Sequence, residues 1–261
     1  MAAFTGRSLE YWLYSYRRTW RGTVVSSVLT PLLYLTAMGV GLGALVDRGG
    51  TARLHGVSYL AFIAPGLLAA TAMQVATFES TYPVMGAIKW QRTYHAMLAT
   101  PLGVRDVVAG HLWWVAFRIG STCVVYLGVM SAFGVVSSPW AVLALPAALL
   151  TGMAFAAPIM AFAASQERDS GFNGIFRFGL IPMFLFSGTF FPVSQLPALV
   201  RPLAYVTPLW HGVDLCRELV LGTVTTSGGV NRPLIHLAYL GVWAVGGVLL
   251  ARLSFRRRLV V

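Results

Sequence analysis

Six stretches of this chain are apolar for about twenty residues each, and they leave little material between them for any fold other than a membrane bundle. A helix rises about 1.5 Å per residue, so roughly 20 apolar residues cross the roughly 30 Å of hydrocarbon in a bilayer. Residues 23–46 carry no charge, and residues 59–82 are apolar apart from Gln74 and Glu79. Residues 111–136 contain Arg118, 140–164 are uncharged, 172–191 carry Arg177 near their start, and 234–251 are uncharged. The fifth window is the weakest. Its uncharged part, 178–191, reaches only about 21 Å as a helix, so it spans only if Arg177 stretches to the headgroups. Of 261 residues, 57% are hydrophobic and 10% charged, against about 25% charged in a soluble domain. The expected fold class is an all-α polytopic membrane protein with six transmembrane helices. It forms one domain over residues 1–261, without a linker-like segment.

The distribution of arginine sets the expected orientation. With the N-terminus inside, the inner segments hold 13 basic residues (Arg7, Arg17, Arg18, Arg21, Lys89, Arg92, Arg105, Arg168, Arg177, Arg252, Arg256, Arg257, Arg258). The outer segments hold five: Arg48, Arg53, Arg201, Arg217 and Arg232. That asymmetry places both termini in the cytoplasm, in the inner or plasma membrane of a bacterial cell. It also removes nucleic acid as a reading of the net charge of +11, because the charge is spread over separate inner loops instead of forming one patch. The first apolar run is longer than a signal-peptide core and is expected to stay as a membrane helix. Cys123 and Cys216 form no CxxC pair and read as small buried hydrophobes.

Segments outside the windows are not bland. On a helical wheel, residues 7–21 place Leu9, Trp12, Leu13, Tyr16 and Trp20 on one side, and Arg7, Glu10, Tyr14, Arg17, Arg18 and Arg21 on the other. This predicts a helix lying in the cytoplasmic interface, aromatic side in lipid and basic side toward anionic headgroups. The longest inner loop predicts a helix over residues 86–99, stopped at Thr100-Pro101. Its exposed cationic and aromatic set, Lys89, Trp90, Arg92, Tyr94 and His95, suits contact with a partner protein.

Within the windows, Gln74, Glu79, His111 and Arg118 cluster toward the cytoplasmic halves of the second and third spans. Charged groups at such depth face the bundle interior or snorkel, so Glu79 is expected to meet His111 or Arg118 in a structural polar clamp rather than a proton relay. Residues 187–197, SGTFFPVSQLP, interrupt the fifth window, and the sequence after them is too apolar for a solvated loop. Backbone that is not helical is tolerated at membrane depth where protein buries it. The expectation is a re-entrant outer segment over 193–222, made of short helices broken at Pro197, Pro202 and Pro208. Its signature is Ser187, Gly188, Phe191, Pro192, Pro197 and Pro208.

Several of these stretches together resemble the ABC-2 type transport permease family: PLLYLTAMGVGLG (31–43), GVSYLAFIAPGLLAATAMQVATFESTY (56–82), QRTYHAMLATPLGVRDVVAGHLWW (91–114), LFSGTFFPVSQLP and PLWHGVDLCRELVLG (208–222). The likeness is greatest to permeases of nodulation-factor export and their actinobacterial relatives among drug and lipid exporters. The resemblance implies an N-terminal interfacial helix and a coupling helix over about 86–99. Through Lys89, Gln91, Arg92, Tyr94 and His95 that helix engages a separately encoded ATPase. It further implies a permease homodimer bound to two ATPase copies, with ATP and Mg2+ on the partner and no cofactor on this chain. One departure is His111, where an acidic residue is expected. The chain itself has no GxxxxGK[ST] loop to cradle phosphates.

The implied function is the permease subunit of an exporter that moves an amphipathic substrate (lipo-oligosaccharide, glycolipid or hydrophobic drug) outward. Linings from the second and fifth spans are expected to receive it. A secondary carrier driven by an ion gradient is the alternative, with Pro65 and Pro182 at corresponding places in the two halves; no buried acid pair is evident to couple an ion. An intramembrane enzyme would need a catalytic constellation, and neither HExxH nor GxSxG occurs.

Overall fold

The computed structural model describes residues 2–18, 20–48, 54, 56–223 and 231–260; Arg53, counted above among the outer arginines, lies outside them. No strand occurs among the described residues. The chain runs through α1 (Ala2–Tyr16), α2 (Trp20–Arg48), α3 (Tyr59–Trp90), α4 (Thr93–Leu98) and α5 (Val104–Ala132). It continues through α6 (Pro139–Ser165), α7 (Ser170–Phe186), α8 (Arg201–Val206), α9 (Pro208–Leu221) and α10 (Asn231–Leu259). Five of these, α2, α3, α5, α6 and α10, are long and apolar enough to cross a membrane. The chain is therefore an all-α polytopic membrane protein. The sixth apolar helix, α7, falls in the fifth window and reaches only about 25 Å.

Helix α3 is the most enclosed of the long helices and packs against α5, α6 and α9, while α6 forms the most extensive pairing with α10. Lipid offers no hydrophobic drive between helices, so small residues that let backbones approach do the packing. A Cβ on Gly247 of α10 would lie 2.4 Å from Cδ of Pro158 in α6, and one on Gly212 of α9 would lie 2.4 Å from the Thr151 side chain. A Cβ on Gly110 of α5 would sit 2.4 Å from Oγ of Ser8 in α1.

Several sequence expectations shift. The second window ends at residue 82, yet the helix carries on to Trp90. It bends at Thr81 (φ −102°, ψ −92°), where Pro83 follows and the Thr81 hydroxyl donates back to Thr77 O at 2.9 Å. Helix α5 starts at Val104, capped by the Asp106 carboxylate accepting from Gly103 N at 3.1 Å, and stops at Ala132 before Gly134 turns left-handed (φ 69°). Helix α10 extends past both ends of its apolar window, taking in Arg256, Arg257 and Arg258. The fifth window divides: α7 ends at Phe186, and residues 187–191 already belong to the turn.

The N-terminal helix also differs from the wheel. It ends at Tyr16, so Trp20 and Arg21 belong to α2. Its Leu9, Trp12 and Tyr16 side faces protein, not lipid. Trp12 stacks on Trp114 of α5 at 6.3 Å and meets His111 edge-on at 4.7 Å, and Tyr16 meets Phe117 at 6.2 Å. Residues Tyr11, Leu13, Tyr14 and Trp20 remain exposed.

Candidate functional site

The arginine-rich end of the bundle is built around a bend. The segment expected as one helix over 86–99 is two pieces: the end of α3 to Trp90, then α4 from Thr93. Between them Arg92 adopts a left-handed conformation (φ 52°, ψ 26°), the one such non-glycine among the described residues. That conformation costs an L-residue about 1–2 kcal/mol. The bend turns Trp90, Gln91, Arg92 and His95 outward, and Trp90 is 63% exposed. Ile88, Lys89, Arg92, His95 and Arg258 line a surface cavity of about 560 Å3.

Tyr94 corrects the expectation of an exposed contact residue, because it is fully buried. Its hydroxyl meets His111 Nδ1 at 2.8 Å, and His111 Nε2 meets the carbonyl of Glu79 at 2.9 Å. A carbonyl only accepts, so Nε2 carries the hydrogen and Nδ1 accepts from Tyr94. Burial pushes the Tyr94 phenol well above its ordinary value, which keeps it the donor. His111 thereby joins the bend at Arg92 to α3.

The polar clamp takes shape around the same helix turn. Arg118 Nε donates to Glu79 Oε1 at 2.9 Å and Trp114 Nε1 donates to Glu79 Oε2 at 3.0 Å. The Arg118 guanidinium lies 5.2 Å from the Tyr16 ring centroid, which brings α1 into the cluster. Gln74 stands apart from it. With Ser27, Thr30, Val75, Phe78 and Arg118 it lines a cavity of about 270 Å3 between α2, α3 and α5. Between residues 62 and 78 the second span is otherwise buried, so that stretch offers as a lining the stripe Thr71, Gln74, Val75 and Phe78. Helix α7 offers more: Phe178, Ile181, Leu185 and Phe186 are all exposed.

Glu167, in the loop between α6 and α7, was not anticipated. Its carboxylate meets Lys89 at 2.9 Å and also pairs with Arg258, tying the end of α3 to the C-terminal end of α10. Hydrogen bonds from Arg258 and then Lys89 hold the Glu167 carboxyl down at about 2.

At the far end, the chain after Phe186 folds back. Gly188 is left-handed (φ 80°), and the Ser187 hydroxyl meets the Thr207 hydroxyl at 2.9 Å. A turn over Val193–Gln195 follows Pro192, and Phe191 packs on the small cluster of Val193, Leu196 and Ala204. Pro197 accepts from Val200 N at 3.0 Å and opens the turn into α8. Pro202 and Pro208 start α8 and α9 at positions that need no N–H, so they begin helices where breaks were expected. Arg217 fastens this segment to α3: Nε donates to Phe62 O at 3.1 Å and Nη2 to Gly188 O at 2.7 Å. Its guanidinium also lies 3.9 Å from the Phe62 ring centroid. Gly66 leaves room for this, since a Cβ there would meet Thr189 O at 3.1 Å. His211, Asp214 and Glu218 on α9 gather with Arg232 and His236 of α10. Their i, i+3 and i+7 spacing was the one available signal of a shared face.

The amino-acid sequence of this bundle also matches a known family. The model of the ABC-2 type transporter family covers residues 9–221. The chain belongs to this family. Nodulation protein J of Rhizobium leguminosarum bv. viciae is 34% identical over 258 residues, covering 95% of each protein. Nodulation protein J of Rhizobium meliloti is likewise 34% identical, over 95% of this chain and 94% of that protein. The inner membrane transport permease YadH of Escherichia coli is 25% identical over 89% of this chain and 90% of its own length. This ABC-2 chain is thus a multi-pass membrane permease, of a family of transport subunits without an ATP-binding site of their own.

Proposed function

We propose that this permease exports an amphipathic substrate, a lipo-oligosaccharide, glycolipid or hydrophobic drug, using ATP hydrolysed with Mg2+ on a separate ATPase subunit. It works as a homodimer with two ATPase copies, in the inner membrane of a bacterium, with both termini and the arginine-rich end in the cytoplasm. The observation that carries this reading is the bend at Arg92. Trp90, Gln91, Arg92 and His95 face out, while Tyr94 in the same turn is bonded through His111 to α3. A push on the exposed set therefore moves the second and third spans together. ATP-driven closure of the partner supplies that push, and differential binding of substrate to the two resulting states makes transport directional. An amphipathic cargo is supported by the Gln74 cavity, which mixes Ser27, Thr30, Gln74 and Arg118 with apolar Pro31, Val75 and Phe78, and by the exposed face of α7 that follows the Phe78–Phe176 ring contact.

The test is co-purification of the tagged chain from its native membranes, with identification of bound proteins and ATP hydrolysis measured on the eluate. Wild type brings down a nucleotide-binding subunit, and the triple substitution Gln91→Ala, Arg92→Ala, His95→Ala loses it or its coupled hydrolysis. A well-folded wild-type chain that retains no ATPase refutes the proposal.

A further inference from the structure

The polar cluster at the far end is one that the transport reading does not use. Asp214 and Glu218 stand one turn apart on α9, and His236 faces them from the second turn of α10. Ligand atoms from all three lie within 4.8 Å of one another. Glu218 is 4% exposed and His236 2% exposed. Both carboxylate oxygens of Glu218, Oδ2 of Asp214 and Nε2 of His236 are buried without a hydrogen-bond partner among the described residues. Buried acceptors are nearly always satisfied, because an orphaned one keeps its full desolvation cost. Arg232 reaches two of these carboxylate oxygens only as an ion pair at 3.4 and 3.6 Å, and Glu218 Oε2 has neither a hydrogen bond nor an ion-pair contact, so a cation shared by the three side chains would satisfy atoms that Arg232 leaves unsatisfied.

Geometry indicates which kind. His236 Nε2 and Asp214 Oδ2 are 3.4 Å apart, the separation of two ligands held about 2.1 Å from one tetrahedral ion. The other ring nitrogen of His236, Nδ1, is 2.8 Å from Nδ1 of His211, and the His211 ring is stacked at 3.9 Å on Tyr239. With His236 Nδ1 donating to His211, the lone pair of His236 is on Nε2 and aimed at the carboxylates. A histidine whose far nitrogen donates to a fixed acceptor is the usual support for a metal ligand. Imidazole with carboxylates selects a transition ion over calcium or magnesium.

We propose that Asp214, Glu218 and His236 form a site for a divalent transition metal, Zn2+ by its ligand chemistry, with His211 as the positioning residue behind His236. Arg232 is the competing cation. Its guanidinium is 3.4 Å from Asp214 Oδ2 and 3.6 Å from Glu218 Oε1, and its side chain is 45% exposed beside a cavity of about 350 Å3 that also reaches Asp214, Arg217 and Glu218. An entering ion displaces Arg232 into that cavity. The metal then ties α9 to the start of α10. The site holds whether or not the chain engages an ATPase.

The experiment uses the full chain in detergent, purified through a tag that binds no metal, stripped with a chelator and titrated with Zn2+ by calorimetry. Bound zinc is measured after desalting, and Co2+ serves as a visible-absorption reporter. Wild type takes up one Zn2+ per chain and melts at higher temperature when loaded. Glu218→Gln and His236→Gln abolish this, and His211→Ala weakens binding about 10- to 100-fold. Arg232→Gln tightens binding, since the competing cation is gone, whereas a mere ion-pair network would lose stability and gain no metal. Each variant is compared with wild type by gel filtration and by metal-free melting, and Arg232→Gln keeps all three ligands. Less than half an equivalent of zinc on wild type, equal zinc on His236→Gln, or weaker binding in Arg232→Gln overturns the site.

Discussion

Replacing Arg118 by Gln removes one half of an ion pair whose side chains keep only 12% and 20% of their exposure. Glu79 then retains a single side-chain donor, Trp114 at 3.0 Å, for a carboxylate inside the bundle. Breaking a buried pair costs about 3–5 kcal/mol. The residual exposure of Glu79 puts this case at the lower end, about 3 kcal/mol, or roughly 150-fold in the unfolding equilibrium. Most of that cost belongs to the abandoned charge rather than to a lost attraction. Glu79→Gln added to Arg118→Gln should therefore recover about 2 kcal/mol, because a neutral amide still accepts from Trp114 and no ion is left buried. The assay is denaturant unfolding of wild type, both single variants and the double variant in mixed micelles. A double variant no more stable than Arg118→Gln alone would refute the reasoning. The same proteins separate clamp from proton relay. A clamp leaves partner-stimulated ATP hydrolysis in the double variant near wild type, while a relay through Glu79 would abolish it in a protein whose stability has been restored.

Three other outcomes follow from particular contacts. Arg92→Gly relieves the left-handed strain and raises stability by about 1 kcal/mol, yet lowers partner-stimulated hydrolysis because the exposed guanidinium is gone; melting and hydrolysis on one preparation check both. Gly247→Val sets a branched side chain against Pro158, where even a Cβ would be 2.4 Å from Cδ, and costs about 1–3 kcal/mol in unfolding measurements through overpacking. Glu167→Gln melts below wild type at pH 7, and the gap closes in acid. Its folded-state carboxyl is held down at about 2, so the contribution is complete above the ordinary carboxylate range near 4.5 and is lost as pH falls toward 2.

The helices were legible because lipid imposes its own length rule, and each window holds a helix, although residues 133–136 and 187–191 fall outside the helices of the third and fifth windows. The expectation that Glu79 meets His111 or Arg118 rests on a charge in hydrocarbon needing a partner; the carboxylate meets Arg118, while His111 meets the backbone carbonyl of Glu79, which that reason does not cover. What stayed hidden depends on where backbone turns. Tyr94 reads as exposed if residues 86–99 form one helix; the left-handed step at Arg92 rotates it inward, and nothing about an arginine signals that step. The wheel for residues 7–21 found the correct aromatic side but assigned it to lipid, because a helix surface does not say whether its neighbour is a bilayer or Trp114. His236 was counted within an apolar span, and its place beside Asp214 and Glu218 emerges only because α10 begins before its window, opposite α9. Glu167 drew no reading from the sequence and Arg217 was counted only as an outer arginine, since each acts through contacts far away in sequence.

Helix α3 joins the two ends of the permease. Glu79 accepts from Arg118 and Trp114 near one end of it, and Phe62 accepts from Arg217 near the other; the span between them is about 25 Å of helix. Through most of that length α3 is packed by α5, α6 and α9, so it moves as a rod rather than bending residue by residue. On the proposed coupling, a displacement that enters through Tyr94 and His111 is expected to arrive at Gly188 and the folded-back segment with its direction preserved. Arg217→Gln tests this, because it removes the link at the far end without touching the bend at Arg92. The expected result is a variant that still binds the ATPase partner and still hydrolyses ATP but no longer transports, with accessibility of a cysteine placed at Ser194 insensitive to nucleotide. Nucleotide-dependent labelling at that position, undiminished in Arg217→Gln, would show that motion reaches the far end by another helix, with α10, tied to the bend through Glu167 and Arg258, the next to examine.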